Sequence, residues 1–554
     1  MKRWSTWIPV LLCVGCADGS SGWSGGTNGT APGQADTDSG DTDMDAEEGS
    51  GGAATSAQPG DTSGGATCLD GDGCEIGDPC SSPDTCASGF CVDGVCCETA
   101  CDGVCERCDP LGTCISDSPA SDPECAGEEE ESTWTIGLGA PVDVEAEPNS
   151  NFDRGSSAVV DEVGNVYLVG TFNQQVDFGG GVNVAAADDP FIVSFTPDGT
   201  YRWHTRFGGP GHDTAGGVAL LPGTNDIVFA GASTGDPGLP GTWPDGQLNA
   251  SVATFNRDNG TVTGARALEA TEQSRSIAVT ADASGIYVTG GFRGTFQVGG
   301  ETPSVGEEDL FAVRLDATLQ PTWTWTDGAT LKDLGRGIAV SPAGDVALTG
   351  YISASEDSED IVVTRFSAPL GGAPAWRNVY SSPPAGAAKG HAVGWTPDGD
   401  VVMTGFYTGP VDFGQAAADG GGRDAVLAKL DGATGTTVWA NTYGGASDDH
   451  FRSLAIDAAG NIFIAGDFSD TVTLDVVLTS NGGKDALVAK FDPDGNVLWS
   501  RAYGGASNDN GNAVTLSTDG MLFTAGHYRE RTTFDTVALS AAEGADIFLM
   551  RLGQ

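Results

Sequence analysis

With 554 residues, and 77 Asp and Glu against 25 Lys and Arg for a formal charge of −52, the chain is too long for one ordinary hydrophobic core. It is also too acidic to favour nucleic acid or an anionic lipid surface. Its 84 glycines and 5 methionines point to several parts or to one turn-rich repeat array.

At the start, Lys2 and Arg3 precede the apolar run Trp7 to Val14, the layout of a secretory signal over residues 1–15 that is too short to span a bilayer. The Gly15-Cys16 junction resembles the lipobox of bacterial lipoproteins. That resemblance implies that Cys16 becomes a diacylated N-terminus, although Cys13 stands where the family usually has Leu. Residues 16–67 then carry the anchor cysteine and a spacer. From Ala17 to Thr67 there is no Lys, Arg, Leu, Ile, Val or Phe, so the segment has nothing with which to offset the entropy of ordering. The Asp-rich run Asp36 to Asp45 lacks the Gly that an EF-hand loop needs at its sixth position and reads as a solvated leash.

Residues 68–125 hold twelve of the 14 cysteines: Cys68, Cys74, Cys80, Cys86, Cys91, Cys96, Cys97, Cys101, Cys105, Cys108, Cys114 and Cys125. An even number in a Gly- and Asp-rich stretch with few apolar residues predicts cross-links in place of a core, most simply six disulfides. Cys105-x-x-Cys108 is the spacing of half a zinc site, but no His precedes residue 204. The stretch Cys91 to Cys108 resembles Cys-rich modules found beside repeats in other bacterial surface proteins, a likeness that implies no biochemical role.

From residue 133 to 554 the sequence repeats. A short apolar strand ending in Gly recurs at Gly170, Gly231, Gly290, Gly350, Gly405, Gly466 and Gly526. A second strand follows each, preceded in five cases by Asp309, Asp360, Asp424, Asp485 or Asp546. Hairpin turns such as Asp198-Gly199, Asp398-Gly399 and Asp494-Gly495 complete units of four strands. The last unit stops one strand short, and Thr133 to Leu138 matches the Trp-bearing fourth strands at Trp203, Trp323, Trp376, Trp439 and Trp499. The expectation is an all-β fold: a seven-bladed β-propeller of four-stranded blades, closed by that N-terminal strand and preceded by the disulfide-rich module. The joining motifs Tyr443-Gly-Gly-Ala-Ser-Asp-Asp449, Tyr503-Gly-Gly-Ala-Ser-Asn-Asp509 and Phe207-Gly-Gly-Pro-Gly-His-Asp213 resemble the SBBP repeat of bacterial seven-bladed propellers. This resemblance covers the same residues 133–554 and carries no catalytic residues. Blade two departs with Asn249 at the Asp position, and the entry loops of blades three and four lack the Gly-Gly motif.

The long loops and blade crossings should share one face, the natural binding surface. There Asp213, Asp448, Asp449 and Asp509 are candidates for Ca²⁺ or a cationic partner, or else caps of their own turns. His204, His212, His391, His450 and His527 occupy different repeat positions, so no imidazole cluster is expected. No Gly-x-Ser-x-Gly, His-Glu-x-x-His or Walker motif is present. One segment, Asp431 to Trp439, resembles the Trp-docking repeat of quinone-dependent dehydrogenase propellers, but stands alone.

The functional expectation is a non-enzymatic surface binding or adhesion scaffold, monomeric, touching the membrane only through its lipid anchor. Its ligand would be a protein or glycan, with no cofactor beyond Ca²⁺ and no nucleic acid. The alternatives are a propeller enzyme, either quinone-dependent or a hydrolase or lyase, and a passive envelope protein.

Overall fold

The computed structural model describes residues 133–139 and 152–553, except 245, 356–357, 384–385, 415–420 and 535–536, together with four short strands between 91 and 116. Among the described residues there is no helix. Residues 20–132 form a unit of their own, in which Cys91–Val92 pairs with Val95–Cys96 and Glu106–Cys108 with Cys114–Ser116. Cys16, the leash and the side chains of the twelve module cysteines lie outside what is described.

The remainder is a β-propeller built of antiparallel meanders. Five sheets have four strands and one has eight. The first sheet takes Arg154–Val160, Val166–Asp177, Val182–Phe195 and Tyr201–Arg206 in chain order. The eight-stranded sheet is two such meanders, joined only by the parallel pairs Ser358↔Gly386 and Glu359↔Ala387. The last sheet, Asn510–Leu516, Leu522–Phe534 and Val537–Leu552, obtains its fourth strand from Trp134–Leu138, in register from Ile547↔Leu138 to Arg551↔Trp134. An otherwise open edge on the C-terminal strand is thereby paired.

Because each sheet is covered on both faces, its inner strands read as unbroken apolar runs rather than alternating ones, as in the fully buried stretch Ile462 to Gly466. The core lies between neighbouring sheets: Val159, Tyr167 and Ile192 of the first sheet pack with Val218, Phe229 and Phe255 of the second. A core divided in this way is what a chain of this length requires.

The repeated glycines have a steric cause. Every first strand carries a one-residue bulge, for example between Gly155 and Ser157 or between Gly390 and Ala392. The bulge presses the first-strand carbonyl against the second strand, and a Cβ at Gly170, Gly290 or Gly526 would collide with Arg154, Arg275 or Asn510 O, as at the other four positions. Only glycine admits that approach.

Tryptophans staple sheet to sheet. Trp203 Nε1 donates to Arg257 O (2.9 Å) and its ring covers Gly260 in the next sheet's turn; Trp376 does the same with Gly432 O (2.9 Å) and Gly435. Trp134 repeats this on Pro197 O (3.0 Å) and Gly199 of the first sheet. The docking suggested by one segment around Trp439 is therefore a recurring contact, with Trp439 itself over Gly495.

Two sequence expectations are corrected. The tight turns, read from the sequence as two-residue turns, have three residues between first and second strands in five of the seven units, whereas Asp282 to Gly285 is a two-residue turn. In Asp457 to Asn461, Asp457 N–H donates to Asn461 O and Gly460 N–H to Asp457 O, a three-residue loop with Gly460 at φ 88°. Asp457 Oδ1 accepts the Ala459 and Asn461 N–H groups (2.9 and 2.8 Å) and so selects this form. In the first, sixth and last units the long loop is instead a ribbon extending the hairpin past a bulge, where Gln174, Asp470 and Glu530 adopt φ 57°, 56° and 57°.

Candidate functional site

Chain direction places the crossings and the second-to-third-strand connections at one end of the axis and the tight turns at the other. At the crossing end, three of the four expected aspartates cap the crossings. Asp213 Oδ2 accepts the Gly209 N–H (2.7 Å) and Oδ1 the Thr234 N–H (2.8 Å). Asp509 takes Gly505 N–H (2.6 Å), Arg529 N–H (2.9 Å) and the Thr532 hydroxyl (3.1 Å). Asp449 takes Gly445 N–H (3.0 Å). Each therefore ties its crossing to the sheet it enters. Burial pushes Asp213 and Asp509 up to about 6 and Asp449 to about 8. Asp448 is different: one third exposed, it accepts the Arg423 N–H (3.1 Å) and guanidinium (3.3 Å).

Asp333, absent from the expected set, is a further cap, taking Ala329 N–H (2.5 Å) and Ser353 N–H (2.6 Å). Its crossing lacks the Gly-Gly motif, which hid it. Among the described residues no group of three His, Cys, Asp or Glu is arranged to hold a metal ion.

Inside these caps, the seven bulge positions of the first strands are Ser156, Gly216, Ile277, Arg336, His391, Arg452 and Asn512. Two of them show where such a side chain goes: His391 Nδ1 meets Phe451 O (3.2 Å) and Asn512 Nδ2 donates to Gly155 O (2.9 Å), each on the next first strand. The bulge residues thus form a rim around the axis. Half-buried side chains surround it on the crossing side, among them Arg154, Arg275, Lys389, Lys484, His527 and Arg529. Arg275 makes a bidentate pair with Glu308 (2.8 and 2.9 Å), and Lys389 pairs with Glu359 (3.0 Å). Buried Asp467 receives Arg452 Nε and His450 Nδ1 (2.9 Å), with Lys484 at 4.0 Å. Burial opposes ionisation of Asp467, but Arg452, His450 and Lys484 hold it well below the usual carboxylate range.

Three of the five histidines lie at or beside this rim. His391 and His450 have ring centroids 6.3 Å apart, and His527 reaches Asn512 Nδ2 (3.3 Å). They come from different strands of adjacent units, which meet only because the sheets radiate from one axis. Burial, reinforced by Arg529, Arg452 and Arg154, pushes His527 down to about 3, and burial with Arg336 holds His391 well below its ordinary value.

At the opposite end, the tight turns enclose a cavity of about 1080 Å³. Its wall is mainly apolar, including Val160, Leu221, Ala281, Val340 and Leu516, with Arg257, Arg314, Glu162 and Tyr287 among its polar members. Arg257 pairs with Glu162 (2.8 Å), and Arg314 donates to Ser284 O (2.5 Å). The Nε atoms of both arginines are buried without an acceptor. This cavity lies at the end opposite the crossing face expected to bind.

No family model and no curated protein matches the chain. Among solved structures it is similar to BamB from Moraxella catarrhalis (TM-score 0.30, 10% identity, covering 76% of this chain and 98% of that one). It is also similar to a puromycin hydrolase (TM-score 0.38, 14% identity, 72% and 54%). A third likeness is to the β-propeller domain of the Trilobed protease from Pyrococcus furiosus (TM-score 0.37, 8% identity, 70% and 97%).

Proposed function

We propose that the chain is a non-enzymatic binding scaffold held at the cell envelope by a lipid on Cys16: a closed seven-bladed propeller whose ligand enters the axial cavity at the tight-turn end. Counting the eight-stranded sheet as two meanders supports seven blades. Closure is supported by the pairing of Trp134–Leu138 with Val537–Leu552 and by the bond from Asn512 to Gly155. The observation that carries the binding reading is the preformed apolar cavity of about 1080 Å³, with Arg257 and Arg314 among its lining residues. A ligand with an apolar body and an acceptor such as a carboxylate or hydroxyl suits a mainly apolar wall that includes two arginines.

Ala281 lines the cavity, so Ala281→Trp fills it. A thermal-shift screen of residues 126–554 against small apolar acids and alcohols should find compounds that raise the melting temperature, and Ala281→Trp should lose that response. A screen without hits, or equal hits in the filled variant, overturns the reading.

A further inference from the structure

On the reading that a ligand enters the axial cavity, we propose that this ligand is a polypeptide segment. A bulky apolar side chain of the segment fills the cavity, and Lys or Arg within a few residues of it meets an acidic collar around the mouth. The tight turns supply the charge pattern. Among the described residues at that end, the exposed charged side chains are Glu162, Asp198, Asp258, Asp398, Asp494 and Asp519, and no Lys or Arg is exposed there. The crossing end differs, since Arg293, Lys332 and Arg531 are exposed on it. An acidic composition therefore does not by itself clear a face of exposed cations. Three of the collar residues reach the mouth: Glu162 lines the cavity, while Asp258 and Asp519 directly follow the lining residues Arg257 and Thr518. The arginines of the wall are drawn inward, Arg257 onto Glu162 (2.8 Å) and Arg314 onto Ser284 O (2.5 Å). Asp258 and Asp519 instead receive neutral donors, Asn225 Nδ2 (2.7 Å) and the Ser517 hydroxyl.

Between the acids the turn tips are short and apolar. Pro222, Ala283, Pro342 and Ala343 are exposed and line the cavity, and Val163, next to Glu162, is 68% exposed. Their turns consume their own N–H groups: Asp161 Oδ1 accepts those of Val163 and Asn165 (3.1 and 2.8 Å), and Asp282 Oδ1 those of Ser284 and Gly285 (2.8 and 3.0 Å). An occupant thus gains from these tips through apolar area and from the collar through charge. The three mouth carboxylates belong to the first, second and last units, so one compact cationic group does not meet them all. A chain with an apolar anchor and cations on either side does, and its peptide carbonyls are the acceptors that suit the two arginines of the wall. The same collar repels nucleic acid and anionic lipid, which leaves a basic polypeptide as the complementary partner.

The test is calorimetric titration of the full chain with the peptide acetyl-Lys-Lys-Trp-Lys-Lys-amide. It should bind saturably, and more weakly as sodium chloride rises. The peptide with Ala in place of Trp, and the one with Glu in place of every Lys, should each bind more weakly by about tenfold or more. On the protein, Ala281→Trp fills the cavity and should lose the peptide. The double variant Asp258→Asn with Asp519→Asn, at two exposed positions outside the wall, should lose several-fold. Absence of binding, equal binding of the Ala peptide, or unaltered affinity in a folded Ala281→Trp or in the double variant overturns the proposal. Small apolar alcohols separate this failure from that of the cavity itself. If they raise the melting temperature in the parent and not in Ala281→Trp while the peptide fails to bind, the partner alone is wrong; if they too have no effect, the cavity reading falls with it.

Discussion

Replacing Trp134 by Ala tests closure directly, because Trp134 belongs to a strand remote in sequence from the sheet it completes. Its indole donates to Pro197 O at 3.0 Å, covers Gly199, and stands edge-on to Phe523 with centroids 6.0 Å apart. Burying a large aromatic side chain is worth about 3–5 kcal/mol on truncation in a full core. Trp134 is half-buried, so roughly half of that applies, and the hydrogen bond contributes about 1 kcal/mol. The expected loss is about 3 kcal/mol. Trp203, which makes the same contact between two consecutive sheets, is the internal standard. In urea denaturation followed by circular dichroism, both Trp134→Ala and Trp203→Ala should lower the midpoint, Trp203→Ala by more because its ring is buried. If Trp203→Ala destabilises and Trp134→Ala leaves the midpoint unchanged, the N-terminal strand does not close the propeller.

Calcium should not bind the crossing aspartates, since backbone N–H groups occupy their carboxylate oxygens. Melting temperatures of residues 126–554 in calcium and in chelator should therefore coincide, and a raised value in calcium refutes the capping role. Asp449 titrates at about 8 in the fold and near 3.9 in an unfolded chain. The folded state then holds the extra proton, and stability falls as pH rises from about 4 to about 8, by up to about 1.4 kcal/mol per pH unit. Asp449→Asn should flatten that slope in urea titrations from pH 5 to 8. His527 acts in the opposite sense: held neutral down to about 3, it makes the fold lose stability as pH falls below 6.5, and His527→Gln should reduce that acid loss. Glu530 is exposed at φ 57° on its ribbon bulge. Glu530→Gly should raise stability by up to about 1 kcal/mol, read as a higher urea midpoint.

The features that repeat were readable from the sequence because each blade imposes the same steric demand at the same place. A glycine under a pressed carbonyl, an aspartate accepting crossing N–H groups and a tryptophan on a glycine turn each recur at a fixed spacing, so the strands and the pairing of Trp134–Leu138 with the last sheet follow from them. The ribbons of the first, sixth and last units were less readable, since a polar, glycine-containing stretch such as Thr479 to Lys484 looks like a loop until its partner strand is seen.

Neither end of the axis could be found by repetition. The rim draws one residue from each unit at a structurally equivalent bulge, and those residues are Ser, Gly, Ile, Arg, His, Arg and Asn. A search for the same residue at the same repeat position discards this set, because a propeller holds position constant and varies chemistry around its axis to make an asymmetric site. The informative signal was instead the placement of scarce residues. With 25 Lys and Arg in the whole chain, Arg336, Lys389 and Arg452 stand at or beside the bulges of three consecutive units, and the carboxylates that meet two of them, Glu359 for Lys389 and Asp467 for Arg452, come from strands that only the fold brings beside them.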